Sequence, residues 1–409
     1  MTRRLKKSAK SLKELMNQYY TNNHVEAKKG KFVVWIAIIV PVELLKGFDI
    51  VIAVPENHSA MCAAKGVGAT QCQVAENHGY SMDLCSYARI DLGTWFVKGK
   101  GSPSMGLPKP DLLISNNNNC SLLVKWFDVY SRELNIPHYI LDVPFCYEKQ
   151  DLRDLEYIID QYHELIDLIE DLTGQKFNIE KVKEAIKYSN EAVNHWKRFL
   201  DFASNHPSGI TAFDSFLHMA IYITSYRGAP EAVRHFKLLA DETEELVRES
   251  NFPVPNEKYR LLWDNIAPWH QLRNMSTRLV ELQANIVYAT YTSCLGTIEG
   301  EINQYVMDPN KPLYSLARIQ NCSVCPYGLN LRFKAMSKMI EKYDIDGIVF
   351  TSNRSCKVYS VMQLDLQKRI VEKFNIPTAM IDVDHADERK YDQEGAFLRL
   401  EALLEEIDS

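Results

Sequence analysis

Residues 111–120 read DLLISNNNNC and residues 346–356 read DGIVFTSNRSC, and laid on each other the two stretches decide the fold. Each is followed by a segment with helical apolar periodicity, then by Asn-Ile-Pro (Asn135 to Pro137; Asn375 to Pro377). Each then closes on an apolar run ending in Asp142-Val143 or Asp382-Val383. A short apolar run, a helical period and a second run after a turn describe a βαβ unit, the building block of a parallel sheet. The chain uses that unit twice.

Working outward, further strand signals lie at 32–40, 50–54, 112–115 and 139–143, interrupted by a Gly/Pro/Ser loop at 98–110. They return at 286–292, 347–351 and 378–383. Between these regions Leu155, Ile158, Ile159, Tyr162, Leu165, Ile166, Ile169 and Leu172 share one helical face, and Gly174 follows as a stop. Asn178 is placed to cap the next helix and Pro230 to open another. The expected fold is therefore α/β, with two doubly wound parallel-sheet domains related by an internal repeat and a helical middle segment. The expected boundaries are 1–150, 151–258 and 259–409.

A chain of 409 residues, 46% apolar, can fill two or three cores. Its net charge of −6, with Lys and Arg scattered, argues against nucleic acid or an anionic membrane as partner. The longest apolar run, 32–40, is too short to span a bilayer. The basic start (Arg3, Arg4, Lys6, Lys7) reads as a solvated helix and not an export signal, so the expected location is the cytosol. There, nine cysteines stay reduced and become candidates for metal or redox work. The sequence has no phosphate-cradling P-loop, dinucleotide fingerprint or serine nucleophile elbow.

In both repeats an Asn (Asn117, Asn353) stands three residues before a cysteine, Cys120 or Cys356, and a helix starts beside it. Ligands of open α/β sheets bind at the carboxyl ends of strands, where helix N-termini favour negative charge, so these thiols are expected as thiolates. Fold duplication accounts for the strands and the Asn-Ile-Pro turn. The paired cysteines point instead to a shared cofactor. Cys85, in GYSMDLCSYAR at 79–89, is a third candidate, with Asp83 placed to cap its helix. Three thiolates from three helix starts suit a cubane cluster with one iron left open. Cys322 and Cys325 form a Cys-x-x-Cys that could be half a zinc site with Cys294, a redox dithiol, further cluster ligands or a plain loop. Cys62, Cys72 and Cys146 read as packed thiols.

Several motifs together carry a resemblance. They are Pro55-Glu56-Asn57 after a strand, Gly79-Tyr80 leading to Cys85-Ser-Tyr-Ala-Arg89, and Pro110-Asp-Leu-Leu with Asn117-Asn118-x-Cys120 and Lys125-Trp126. Asn353-Arg-Ser-Cys-Lys357 completes the set. Over nearly its whole length the chain resembles the α-type, cluster-bearing subunit of 2-hydroxyacyl-CoA dehydratases, whose broader family includes ATP-dependent benzoyl-CoA reductases. That resemblance implies a [4Fe–4S] cluster on Cys85, Cys120 and Cys356, its open iron facing the thioester carbonyl of an acyl-CoA. It implies two protein partners: a homologous second subunit with its own cluster and an ATP-dependent iron–sulfur activator protein. The implied reaction takes a 2-hydroxyacyl-CoA to a 2-enoyl-CoA and water through a ketyl radical, with Glu56 as an acid near the substrate. One departure is Ile38, where such subunits usually carry Ser or another polar residue. It leaves open a reductase of an aromatic acyl-CoA, or a non-catalytic cluster-bearing partner.

Overall fold

Asp111 and Asp346 perform the same task in the two copies of the repeat. The backbone N–H of Asp111 donates to the Val33 carbonyl at 2.7 Å and its carboxylate accepts the Val33 N–H at 2.8 Å. Asp346 does both to Arg260, each at 2.8 Å. Each aspartate thus fixes the register of its strand against the central neighbour, as the aligned stretches imply. The computed structural model describes residues 4–322 and 328–409, so Cys325 lies outside the described residues.

The first sheet contains β1 (Val33–Ile36), β2 (Val51–Ala53), β3 (Leu112–Asn116) and β4 (His138–Leu141) in the order β2-β1-β3-β4. The second contains β5 (Tyr259–Asp264), β6 (Ala284–Ala289), β7 (Gly347–Asn353) and β8 (Thr378–Val383) in the order β6-β5-β7-β8. Every pairing is parallel. The two orders are the same when each sheet is counted from its own first strand, so the repeat embraces four strands per sheet and not only the pair that announces it. Asn135 and Asn375 end their helices in the left-handed conformation (φ 52° and 51°), which is why the same residue recurs there.

Three expectations shift. The run at 32–40 is strand only over Val33–Ile36; Val40 then closes a turn on the Ala37 carbonyl at 3.0 Å, because Pro41 caps the helical turn Val42–Leu45. The strand expected at 286–292 stops at Ala289 and the chain coils into Thr290–Ser293. β5, central in its sheet, was not among the expected strands.

The middle of the chain is helical, with Leu152–Thr173 stopped by Gly174 (φ 69°), Ile179–Asp201 and Pro230–Arg248. Asn178 caps the second of these by accepting the Glu180 and Lys181 N–H groups. The basic N-terminal helix, Lys6–Lys28, is not simply solvated: Tyr19 and Tyr20 are buried, and Glu242 accepts the Lys7 and Ser8 N–H groups at 2.7 and 2.8 Å. A carboxylate on a helix start satisfies orphan donors and meets the positive dipole end. Among the described residues no helix is long and apolar enough to cross a membrane.

The halves meet through the segment after β8. Arg89, fully buried, donates to Asp387 at 2.7 Å and to Glu76 at 2.6 Å.

Candidate active site

Cys85, Cys120 and Cys356 each occupy the N-cap position of a helix: Ser86–Phe96, Ser121–Leu134 and the short turn Lys357–Ser360. All three face one cavity with an empty volume of about 1370 Å³ including its mouth. Its walls are built from residues just past strand ends: Ile38 after β1, Asn119 after β3, Ile266 after β5, Tyr291 after β6, Ser355 after β7 and His385 after β8. The cavity therefore sits at the carboxyl edges of both sheets, where open α/β folds bind ligands.

The expected cap at Cys85 is absent. Asp83 is exposed and makes no cap hydrogen bond; its N–H instead meets the Ser81 hydroxyl at 3.1 Å. The expected thiolate state also fails for the protein alone. Burial pushes all three thiols up, Cys356 to about 12, and outweighs the backbone N–H groups of Ala88, Leu122 and Tyr359 that favour the anions. The helix-start field is present but too weak to ionise a buried sulfur unaided. A metal centre is what would turn such thiols into ligands.

The residues fit a cluster. The donor set is soft, the three thiols lie close enough to couple electrostatically, and backbone N–H groups already point at the sulfurs. No trio of Cys, His, Asp or Glu among the described residues closes on a single ion. A cubane takes thiolates at its corners, set wider apart than ligands of one metal ion.

Glu56 enters at the start of the helix Pro55–Ala64 and is 6% exposed. Its Oε1 accepts the Ile38 N–H at 3.0 Å, while Oε2 is buried without a partner among the described residues. Burial, reinforced by the charge of Asp91, pushes this carboxyl up to about 7. The Ile38 side chain offers no hydroxyl, yet its backbone holds the acid in place.

His385 belongs to no motif of its own and joins the site only in the fold. Its Nδ1 lies 3.1 Å from Asn353 Oδ1, an oxygen that already accepts the Ser355 N–H, so Nδ1 carries the proton. Burial pushes the ring down to about 4, leaving it neutral with Nε2 3.7 Å from the Cys85 sulfur. The signal available was position: Asp384-His385 directly follows the second copy of the repeat.

Among the other cysteines, Cys294 does not join Cys322 in a zinc site. Its thiol donates to the Tyr291 carbonyl at 2.8 Å and lines the same cavity as the trio. Cys322 packs against Cys146 and Leu331 in a separate buried cluster and accepts the Glu299 N–H at 3.2 Å. Cys62 and Cys72 are packed thiols, as expected, although Cys62 lies 3.6 Å from His58 Nε2.

Fold and site together define the class: an α/β chain built from two copies of a four-stranded parallel-sheet unit, with a cavity lined where the two copies face each other. The sequence pattern of the family described as "2-hydroxyglutaryl-CoA dehydratase, D-component" matches residues 37–407. The chain is 32% identical over 384 residues to the (R)-phenyllactyl-CoA dehydratase alpha subunit of Clostridium sporogenes, covering 93% of this chain and 91% of that one. It is 31% identical over 401 residues to the (R)-2-hydroxyisocaproyl-CoA dehydratase alpha subunit of Clostridioides difficile, covering 97% and 95%. It is 28% identical over 380 residues to a benzoyl-CoA reductase subunit of Thauera aromatica, covering 90% and 86%. The chain belongs to this family of 2-hydroxyacyl-CoA dehydratase alpha subunits and their benzoyl-CoA reductase relatives.

Proposed function

We propose that the chain is the iron–sulfur subunit of an ATP-activated radical dehydratase that converts a 2-hydroxyacyl-CoA to the 2-enoyl-CoA and water. Cys85, Cys120 and Cys356 would hold its [4Fe–4S] cluster. The observation that carries this reading is the shared cavity: a buried carboxyl poised near pH 7, one oxygen free, faces the same space as three helix-start thiols.

When bound, the cluster supplies a Lewis-acidic iron and a single electron to the thioester, the part of the chemistry that side chains cannot perform on a barely acidic β-hydrogen. The chain's own residues do the rest. The apolar walls exclude water, and the Ile38 N–H fixes Glu56. The free Oε2 can then take a proton from the substrate or give one to the departing hydroxyl.

Such a subunit works with a homologous partner chain and a separate ATP-hydrolysing iron–sulfur activator, in the cytoplasm and away from oxygen. The names of its relatives as alpha subunits support a partner chain. One observation favours a second reading, reduction of an aromatic acyl-CoA: Ile38 brings a hydrocarbon side chain, and no hydroxyl, to the cavity wall.

Anaerobic purification with partner and activator, followed by parallel assays of 2-hydroxyacyl-CoA loss and aromatic acyl-CoA reduction, separates the two readings. Iron analysis of Cys85→Ala, Cys120→Ala and Cys356→Ala tests the ligands. An unaltered iron content in any of them removes that residue from the set.

A further inference from the structure

We propose that the acyl group this cavity takes is an uncharged hydrocarbon, branched or aromatic, and that the buried Glu43–Arg227 pair turns a second carboxylate away. The inference rests on the acyl-CoA reading above and is common to both of its reactions.

The walls are hydrocarbon on several sides, with Ile38, Leu122, Trp126, Ile223, Tyr291 and Val358 contributed from both halves of the chain. A dicarboxylic acyl group would need a cation there, because an unpaired carboxylate in an apolar space loses its hydration without replacement. Among the described residues Arg227 is the only Lys or Arg on the wall, and it is already committed. Its Nε donates to Glu43 Oε2 at 3.1 Å and a terminal nitrogen donates to the Val40 carbonyl. Glu43 is held in turn by the Ser189 hydroxyl, which donates to Oε1 at 2.6 Å.

Both partners of the pair are buried, Arg227 at 8% exposure and Glu43 at 3%. A substrate carboxylate arriving here would face a guanidinium already neutralised by Glu43 and one further carboxyl, Glu56. The pair thus presents a net neutral surface, which a branched alkyl or aryl group covers without loss. Specificity then comes from denying a carboxylate its counter-charge as well as from apolar contact.

The test is equilibrium binding, by calorimetry under anaerobic conditions, to the protein assembled with its partner chain. The probes are isohexanoyl-CoA, phenylpropanoyl-CoA, glutaryl-CoA and CoA itself, none of which carries a hydroxyl to eliminate. At least one of the two hydrocarbon thioesters is expected to bind about tenfold or more tightly than glutaryl-CoA, and their order distinguishes a branched from an aromatic substituent. Glutaryl-CoA binding as well as either would overturn the inference and leave the acyl-CoA reading standing. No thioester binding above CoA alone would overturn that reading, and the inference with it.

Glu43→Gln leaves Arg227 without its carboxylate and is expected to shrink the glutaryl-CoA deficit severalfold. Glu43→Asp, which keeps the buried charge but draws it back from Arg227, moves the deficit the same way if the glutamine variant does not fold. A deficit unchanged in the folded variant removes the gatekeeping role from the pair.

Discussion

Ser86 and Asp384, 298 residues apart, share a hydrogen bond of 2.7 Å, and the other oxygen of the same carboxylate accepts the Ser355 hydroxyl. Ser86 follows Cys85 and Ser355 precedes Cys356, so one carboxylate sets the spacing of two cysteines from different halves of the chain. Burial opposes the charge of Asp384. The His385 ring, the Ser355 hydroxyl and the Ala386 N–H prevail and hold the carboxyl down to about 2.

Asp384→Asn therefore leaves several buried donors poorly matched and is expected to cost about 3–5 kcal/mol of stability. It should also lower the iron bound per chain. Ser86→Ala, which removes one hydrogen bond, should cost about 1 kcal/mol. Calorimetric melting and iron analysis of both variants check this, and full iron retention in a folded Asp384→Asn protein would contradict the spacing role.

Glu56 makes a prediction with a sign. Its folded value of about 7 stands above the ordinary 4.5, so between these limits the unfolded chain releases a proton that the fold retains. Stability falls as pH rises through that window and stays low above it. Glu56→Gln lacks this slope. The variant should lose turnover yet match or exceed the wild type in stability at pH 8, by about 1–3 kcal/mol, with the gap closing toward pH 4.5. Denaturant titrations at several pH values measure the gap directly.

Much of this was legible from the repeat alone. Two cysteines in equivalent places after aligned strands mark a sheet edge, and Asn135, Asn375, Gly174 and Asn178 act as the turns and caps their residue types suggest. What stayed hidden was long-range. No local pattern links Glu43 to Arg227, or Asp384 to Ser86, because each pair is made only when distant elements pack. The ionisation of the thiols was misjudged for a related reason: the helix start is visible in sequence, while the burial that opposes it is a property of the assembled cavity.

The buried pair behind the cavity wall gives another test. Asp91 accepts from Tyr130 at 2.7 Å and from Trp126, a cavity residue, at 3.2 Å, and its other oxygen lies 3.5 Å from His58 Nδ1. Burial opposes a charged His58, but Asp91 and Cys62 raise it to about 9, above the ordinary 6.5. The stabilisation is then complete below pH 6.5 and is lost as pH rises through about 9. Asp91→Asn should cost about 3–5 kcal/mol at neutral pH, the difference from wild type shrinking toward pH 9. A difference that does not vary with pH would mean that only the Trp126 and Tyr130 hydrogen bonds matter.

Arg260 explains why β5 escaped notice and supplies the last test. A charge in a short strand argues for an edge or a loop, yet this strand is central and Arg260 is 5% exposed. The guanidinium is accommodated because its donors are used. Nε and a terminal nitrogen reach the Tyr343 carbonyl at 3.1 and 2.9 Å, the other terminal nitrogen reaches the Asn205 carbonyl at 3.0 Å, and the Ala203 carbonyl and Glu257 take the remainder. These partners lie just before β5 (Glu257), just after the helix Ile179–Asp201 (Ala203 and Asn205) and at the last residue of the helix Leu329–Tyr343, so one side chain ties three segments to the strand that organises the second sheet. Arg260→Leu would strand those carbonyls and Glu257, at a cost of about 3–5 kcal/mol. Arg260→Lys keeps the charge for Glu257 but cannot span the fork of carbonyls, and should fall between the two. Melting temperatures ranked wild type, lysine, leucine would bear this out; a lysine variant as stable as wild type would show that charge alone, and not the fork of donors, holds the strand.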